Sequence, residues 1–176
     1  MTIQKDKLAS APVLIEELVP ESRFSLRVRP EHRTDLAAAL SMELPQRIGH
    51  RAVFSQGEAL CLGPDEWLIK TDEGAALTDA ARAVYARLPH SLTEISDREI
   101  TLRLTGLQVL DLLATGCPRD VEALAEGGGV RTVFDSATIV LWRDGPAEFR
   151  MDIWRSFAPH VRSLLAQAET ELSAAV

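Results

Sequence analysis

Three observations predict an α+β fold made of two similar strand-helix-hairpin-helix halves. A strand followed at once by a helix occurs twice, a Gly-Pro turn between apolar runs occurs twice, and an amphipathic helix follows each of those turns. Ser25-Leu26-Arg27-Val28 compares with Thr101-Leu102-Arg103-Leu104, an offset of 101 − 25 = 76 that also carries Asp35-Leu36 onto Asp111-Leu112. Gly63-Pro64-Asp65-Glu66-Trp67 compares with Gly145-Pro146-Ala147-Glu148-Phe149, at 145 − 63 = 82. Helices on one face of a sheet are the expected layering for such a pattern.

Each element has a local reason. Alternation in Phe24 to Val28 and in Ile100 to Leu104 is the two-residue period of a half-buried strand. Pro30 and Gly106 break these strands, and helical segments follow through Leu40 and through Ala114. Gly116 stands where a helix end favours a positive φ. A turn pair between two strand-like runs predicts a hairpin. The runs are Ala59 to Leu62 with Trp67 to Ile69, and Ala137 to Trp142 with Phe149 to Trp154. Leu77, Ala80, Ala81, Val84, Tyr85 and Leu88 form one helical stripe. Phe157, Val161, Leu164, Leu165, Ala168 and Leu172 form the other. The expected organisation is an N-terminal tail over residues 1–20 and a single domain over 21–176, with halves at about 21–90 and 95–176. Met1 to Ala11 has few apolar groups to offset the entropy of ordering, so it is expected to be mobile.

Composition narrows the function classes. The chain has 176 residues, 46% hydrophobic and 26% charged, which suits a globular core. Acidic residues outnumber basic ones by 26 to 19, so the net charge of −7 disfavours a phosphate-backbone partner and nucleic acid is not expected. Sixteen of the 19 basic residues are Arg, since only Lys5, Lys7 and Lys70 are Lys. Codon bias explains this, and so does an Arg-enriched interface. No apolar run reaches the roughly 18 residues of a membrane span, and no signal peptide is read at the start, so a cytoplasmic protein without membrane contact is expected.

A search for chemistry finds no catalytic, cofactor-binding or metal constellation. His32, His50, His90 and His160 lack a second His or Cys at ligand spacing. Surface positions on helices are expected for His32 and His160. Cys61 and Cys117 read as reduced, buried residues, and Cys117 follows Gly116 at a helix end that disfavours a thiolate. Gly127-Gly128-Gly129 lacks the Lys-Ser/Thr of a phosphate loop and reads as a flexible connector before a strand. Asp65-Glu66 belongs to a turn, and Ser96-Asp97-Arg98-Glu99 reads as a solvated charge run.

Several blocks together resemble the gamma subunit family of heterotetrameric sarcosine oxidase. They are Leu60 to Ile69 with its Leu-Gly-Pro-Asp-Glu-Trp-Leu string, Ser96-Asp97-Arg98, Leu102 to Gly106, Leu113 to Asp120, Arg131-Thr132 and Arg155-Ser156-Phe157-Ala158. The stretch Val121 to Val130 departs from the family, which carries a longer, Pro-containing apolar segment there. The resemblance implies a relative of the folate-binding aminomethyltransferase fold. It implies an accessory subunit, without an active site of its own, of a complex that oxidatively demethylates sarcosine to glycine. Alpha, beta and delta subunits would be the partners. The assembled complex would carry FAD, FMN, NAD and zinc and use tetrahydrofolate, none of them in this chain. Two alternatives stand beside it: a subunit of an N-methyl amino acid dehydrogenase such as N-methylglutamate dehydrogenase, and a free-standing folate-binding protein. Glu94, Asp97 and Glu99 are the carboxylates a folate site could use. Trp142, Trp154 and Arg155 are the expected partner interface, because Trp and Arg anchor such contacts. Ser156 is the expected N-cap of the last helix, with Pro159 in its first turn. Arg155, beside the positive end of that helix, needs a compensating group.

Overall fold

The computed structural model describes residues 13–174. In chain order its elements are β1 (Leu14–Glu17), β2 (Ser22–Val28), α1 (Pro30–Ala39), β3 (Arg51–Phe54), β4 (Gly57–Gly63), β5 (Glu66–Thr71), α2 (Gly74–Val84) and β6 (His90–Glu94). A one-turn 3-10 helix at Ser96–Arg98 follows, then β7 (Glu99–Thr105), α3 (Val109–Ala114), β8 (Gly128–Phe134), β9 (Ala137–Gly145), β10 (Glu148–Trp154) and α4 (Ala158–Ala174). Two compact units result. One is continuous, Pro20–Ser96; the other is discontinuous and joins the chain up to Val19 with the chain from Asp97 onward.

The units repeat one plan. The continuous unit has a five-stranded sheet in the order β3-β4-β5-β2-β6, and the discontinuous unit one in the order β8-β9-β10-β7-β1. Every neighbouring pair is antiparallel. Each unit therefore runs strand, helix, three-stranded meander, helix, with a further strand beside the first. The meander is one strand longer than the hairpin expected from the sequence. In the first half the missed strand is β3, a four-residue segment too short to show a period. The first hairpin pairs Gly63 with Glu66 and Cys61 with Trp67; the second pairs Gly145 with Glu148 and Arg143 with Phe149. Leu62 and Asp144 are thus the extra residue of a bulge at the same place in each hairpin.

The ladders also correct the repeat offset. Leu26 lies opposite Trp67 and Leu104 opposite Phe149, so the first strands align at 104 − 26 = 78 once the hairpins align at 82. The 76-residue offset read from the sequence is two residues short. An even slip keeps the same face inward, which is why the alternation still matched.

Each sheet buries one face under two helices. In the discontinuous unit Leu102, Leu104, Ile139, Leu141, Phe149, Met151 and Ile153 meet Leu112 and Leu113 of α3 and Val161 and Leu165 of α4. In the continuous unit Phe24, Leu26, Ala59, Cys61, Trp67 and Ile69 meet Leu36 of α1 and Leu77 and Ala81 of α2. Each fully buried Leu or Phe of these cores contributes about 1.5–3 kcal/mol by leaving water. Pro30 opens α1 at a position that needs no amide donor, after Arg29 in an extended conformation.

Several expectations change. Residues 14–17, assigned to a tail, form β1, because Leu14 to Glu17 pair in register with Thr105 to Leu102. The expectation for Met1 to Ala11 falls outside the described residues. Gly116 has no positive φ; the strand breaker Gly106 does, at 128°. Glycine is required at 116 by space, since a Cβ there would lie 2.8 Å from the ring of Phe134. Gly128 and Gly129 are no connector but the start of β8, paired with Arg143 and Trp142. The first turn of α4 begins at Ala158, where the Val161 amide donates to the Phe157 carbonyl, so Ser156 lies one residue before the cap position.

Candidate functional site

β10 decides where the expected interface residues go. Phe149, Met151 and Ile153 point into the core, so Arg150, Asp152 and Trp154 share the opposite face. Trp142 on β9 lies opposite Arg150 and therefore on that face too. It is 0% exposed. Its indole N–H donates to Asp152 Oδ2 at 2.6 Å, while Thr101 Oγ1 donates to Asp152 Oδ1 at 2.5 Å. The Arg150 guanidinium covers the Trp142 ring at 4.9 Å and makes a two-bond pair with Asp144 at 2.6 and 3.0 Å. Trp142, expected at the partner interface, is consequently held inside the chain and presents no exposed surface. A buried carboxylate holds both a hydroxyl and an indole, an arrangement worth about 1.5–3 kcal/mol per charged hydrogen bond.

Trp154 and Arg155 do reach the surface. Trp154 ends β10 opposite Glu99 and is 42% exposed. Just past that last pair, the Arg155 amide donates to the carbonyl of Arg98, the end of the 3-10 helix, at 2.8 Å. That bond brings the backbones of Arg98 and Arg155 together. Arg98 folds its guanidinium over the Trp154 ring at 5.3 Å and donates through Nε and Nη2 to Glu99 Oε1 at 3.1 and 2.8 Å. Arg155 Nε donates to the Asp97 carbonyl at 3.0 Å. Within the chain Arg155 thus meets a neutral backbone carbonyl and, among the described residues, no compensating carboxylate. Phe157, 40% exposed, follows in the same turn. Arg98, which the sequence placed in a solvated charge run, is the member that this reading missed. Its only signal was its place in the Ser96-Asp97-Arg98 block.

Of the other candidates, Glu99 and the Asp97 backbone touch this cluster, and the rest make pairings of their own. Glu94 accepts a bond from Ser96 Oγ at 2.8 Å, and Glu99 is buried beneath Arg98. Asp65 and Glu66 pair with Arg27 at 3.4 and 3.0 Å across the ladder. Cys61 is fully buried with its thiol on the Gly63 carbonyl at 3.2 Å, and burial pushes that thiol above its ordinary pKa. Cys117 is buried as well. His160, exposed on α4, meets Asp135 at 3.0 Å. Among the described residues no three His, Cys, Asp or Glu side chains gather as metal ligands, and no helix is long and apolar enough to cross a membrane. The continuous unit has a pocket of about 180 Å³ beside α1 and α2, with Glu73 on its wall, smaller than the roughly 300 Å³ a drug-sized ligand needs. An open depression of about 510 Å³ lined by Arg82, Tyr85 and His90 has no carboxylate.

Comparison with known proteins places this architecture. The sarcosine oxidase, gamma subunit family model (SoxG) matches residues 28–171. The sarcosine oxidase subunit gamma of Corynebacterium sp. (strain U-96) is 30% identical over 168 residues, covering 93% of this chain and 82% of that one. The same subunit from Arthrobacter sp. is 30% identical over 166 residues, covering 92% and 82%. Among solved structures, a chain of heterotetrameric sarcosine oxidase from Corynebacterium sp. U-96, in complex with pyrrole 2-carboxylate, superposes with a TM-score of 0.85. That match is 27% identical and covers 97% of this chain and 92% of the other. The glycine cleavage system aminomethyltransferase T from Bartonella henselae superposes at 0.67 with 14% identity, over 92% of this chain and 47% of that one, a likeness of fold alone. With 144 residues from 28 to 171 under the family model and matching relatives along nearly its whole length, the chain belongs to the sarcosine oxidase gamma subunit family.

Proposed function

We propose that this chain is an accessory subunit, without an active site of its own, of a heterotetrameric sarcosine oxidase. The observation that carries this reading is the superposition on a chain of that heterotetramer over 97% of one chain and 92% of the other. In this reading the assembled complex, in the cytoplasm, oxidatively demethylates sarcosine to glycine. The flavins FAD and FMN, NAD, zinc and the tetrahydrofolate used in the reaction are held by other subunits, named alpha, beta and delta in the family. The donor set here does not fit a metal, since the described His, Cys, Asp and Glu side chains do not converge. The folate-binding alternative has only the shared fold behind it, and fold alone is a weak warrant for function. The two halves, about 21–90 and 95–176, are read as copies of one ancestral unit, supported by the shared strand plan and the shared bulge.

The test is co-expression with the flavin-bearing partner subunits. The chain is expected to co-purify with them in fixed stoichiometry, and sarcosine-dependent peroxide to appear with the complex. Alone, it is expected to be colourless and to produce no peroxide. Flavin absorbance or sarcosine turnover by the chain alone would overturn the accessory role.

A further inference from the structure

We propose that the end of the β7–β10 ladder, formed by Arg98, Trp154, Arg155 and Phe157, is the surface through which this chain grips a carboxylate-bearing segment of another oxidase subunit. This rests on the accessory-subunit reading and adds a location and a chemistry to it. Just beyond the last β7–β10 pair the Arg155 amide donates to the Arg98 carbonyl, so two like charges leave adjacent points of the backbone, where they repel each other. The two are not satisfied equally. Arg98 is neutralised by the buried Glu99 carboxylate and stacked on Trp154. Arg155 spends one N–H on the Asp97 carbonyl, and among the described residues it has no carboxylate within ion-pair distance. Its two terminal NH2 groups keep the planar fork that binds a carboxylate through two parallel bonds. It also stands just before α4, where the helix end repels positive charge. A carboxylate brought by a partner relieves that repulsion, while Trp154 and Phe157, 42% and 40% exposed, provide flanking apolar area. Arg98 holds the indole in place from one side, so the ring is oriented before the partner arrives. Trp and Arg at the centre of a contact are the residues that dominate binding energy.

The experiment co-expresses this chain with its partner subunits carrying the tag, and measures how much of the chain stays bound as NaCl is raised. Arg155→Ala and Trp154→Ala are each expected to weaken retention about tenfold or more. Arg155→Glu should weaken it further, because it sets two carboxylates against each other. Tyr85→Ala, on an exposed residue of the other unit, should change nothing. Thermal melting of each variant keeps folding separate from assembly, and unchanged melting is expected. Equal retention of Arg155→Glu and the unaltered chain would overturn the proposal. So would equal effects of Arg155→Ala and Arg155→Glu, since the partner group would then not be a carboxylate. A melting temperature of Arg155→Ala lowered by more than about 5 °C would also overturn it by giving Arg155 an internal role. If the unaltered chain itself fails to co-purify, the subunit reading falls, and this proposal with it.

Discussion

Asp135 shows how one residue holds a turn and a helix together. It occupies the β8–β9 turn with φ 52°, a left-handed conformation in which Asp and Asn are tolerated. Its amide donates to the Gly116 carbonyl at 2.8 Å, and its carboxylate accepts from His160 of α4 at 3.0 Å. That bond from His160, followed by bonds from the Ser136 side chain and amide, lowers the carboxyl pKa below its ordinary value of 3.8. A folded-state pKa below the unfolded one favours the fold wherever the carboxylate is ionised, and that contribution disappears as pH falls through the folded value. Asp135→Asn keeps the turn geometry and removes the charge. The variant is therefore expected to melt below the parent at pH 7, and the difference should shrink as pH drops below about 4. Melting temperatures collected from pH 7 to pH 3 check this, and a gap that stays constant over that range would remove the ionisation argument.

Elements explain what the sequence revealed and what it concealed. The half-buried strands β2 and β7, the two Gly-Pro hairpins and the stripe of α4 were legible because apolar period and turn chemistry are local. β1 was not, since Leu14-Ile15-Glu16-Glu17 shows no apolar alternation and takes its place by pairing with β7 and packing Ile15 against the core. The site split in the same way. Trp154 and Arg155 are exposed, as an interface role requires, but Trp142, of equal chemistry, is buried by the register that sets it beside Asp152. No pattern within β9 announces a carboxylate ten residues later in the chain. Gly116 had a local signal with the wrong cause, because the reason for glycine lies on β8, in Phe134. Phe134 is 1% exposed, so its ring has no free space to move into. Gly116→Ala is expected to destabilise by about 1–3 kcal/mol, as overpacking does. Gly145→Ala, whose Cβ meets nothing closer than Glu148 Cβ at 3.7 Å, should cost far less. Urea melts of the two variants give the comparison, and equal losses would mean that the Phe134 contact does not decide.

At the scale of the molecule, the chain path couples the two units. β1 pairs with β7, and everything from Pro20 to Ser96 lies between them in sequence as the continuous unit. If that unit melted alone, β1 and β7 would have to stay paired across a flexible loop of 96 − 20 + 1 = 77 residues. Closing such a loop costs about 4 kcal/mol in chain entropy, comparable with what a four-residue edge strand contributes. Loss of the continuous unit therefore strips β1 from the other sheet and exposes the β7 edge and the core beneath it, including Val13 and Ile15. Each unit carries one buried cysteine, Cys61 in the continuous unit and Cys117 in the discontinuous one, so each reports its own opening. Both thiols are expected to resist alkylation in the native protein and to become reactive over one and the same urea transition. Mass spectrometry of pulse-alkylated samples across a urea series separates the two sites. Labelling of Cys61 at urea concentrations where Cys117 remains protected would show that the continuous unit opens independently, and that the β1–β7 connection does not bind the two halves into one cooperative fold.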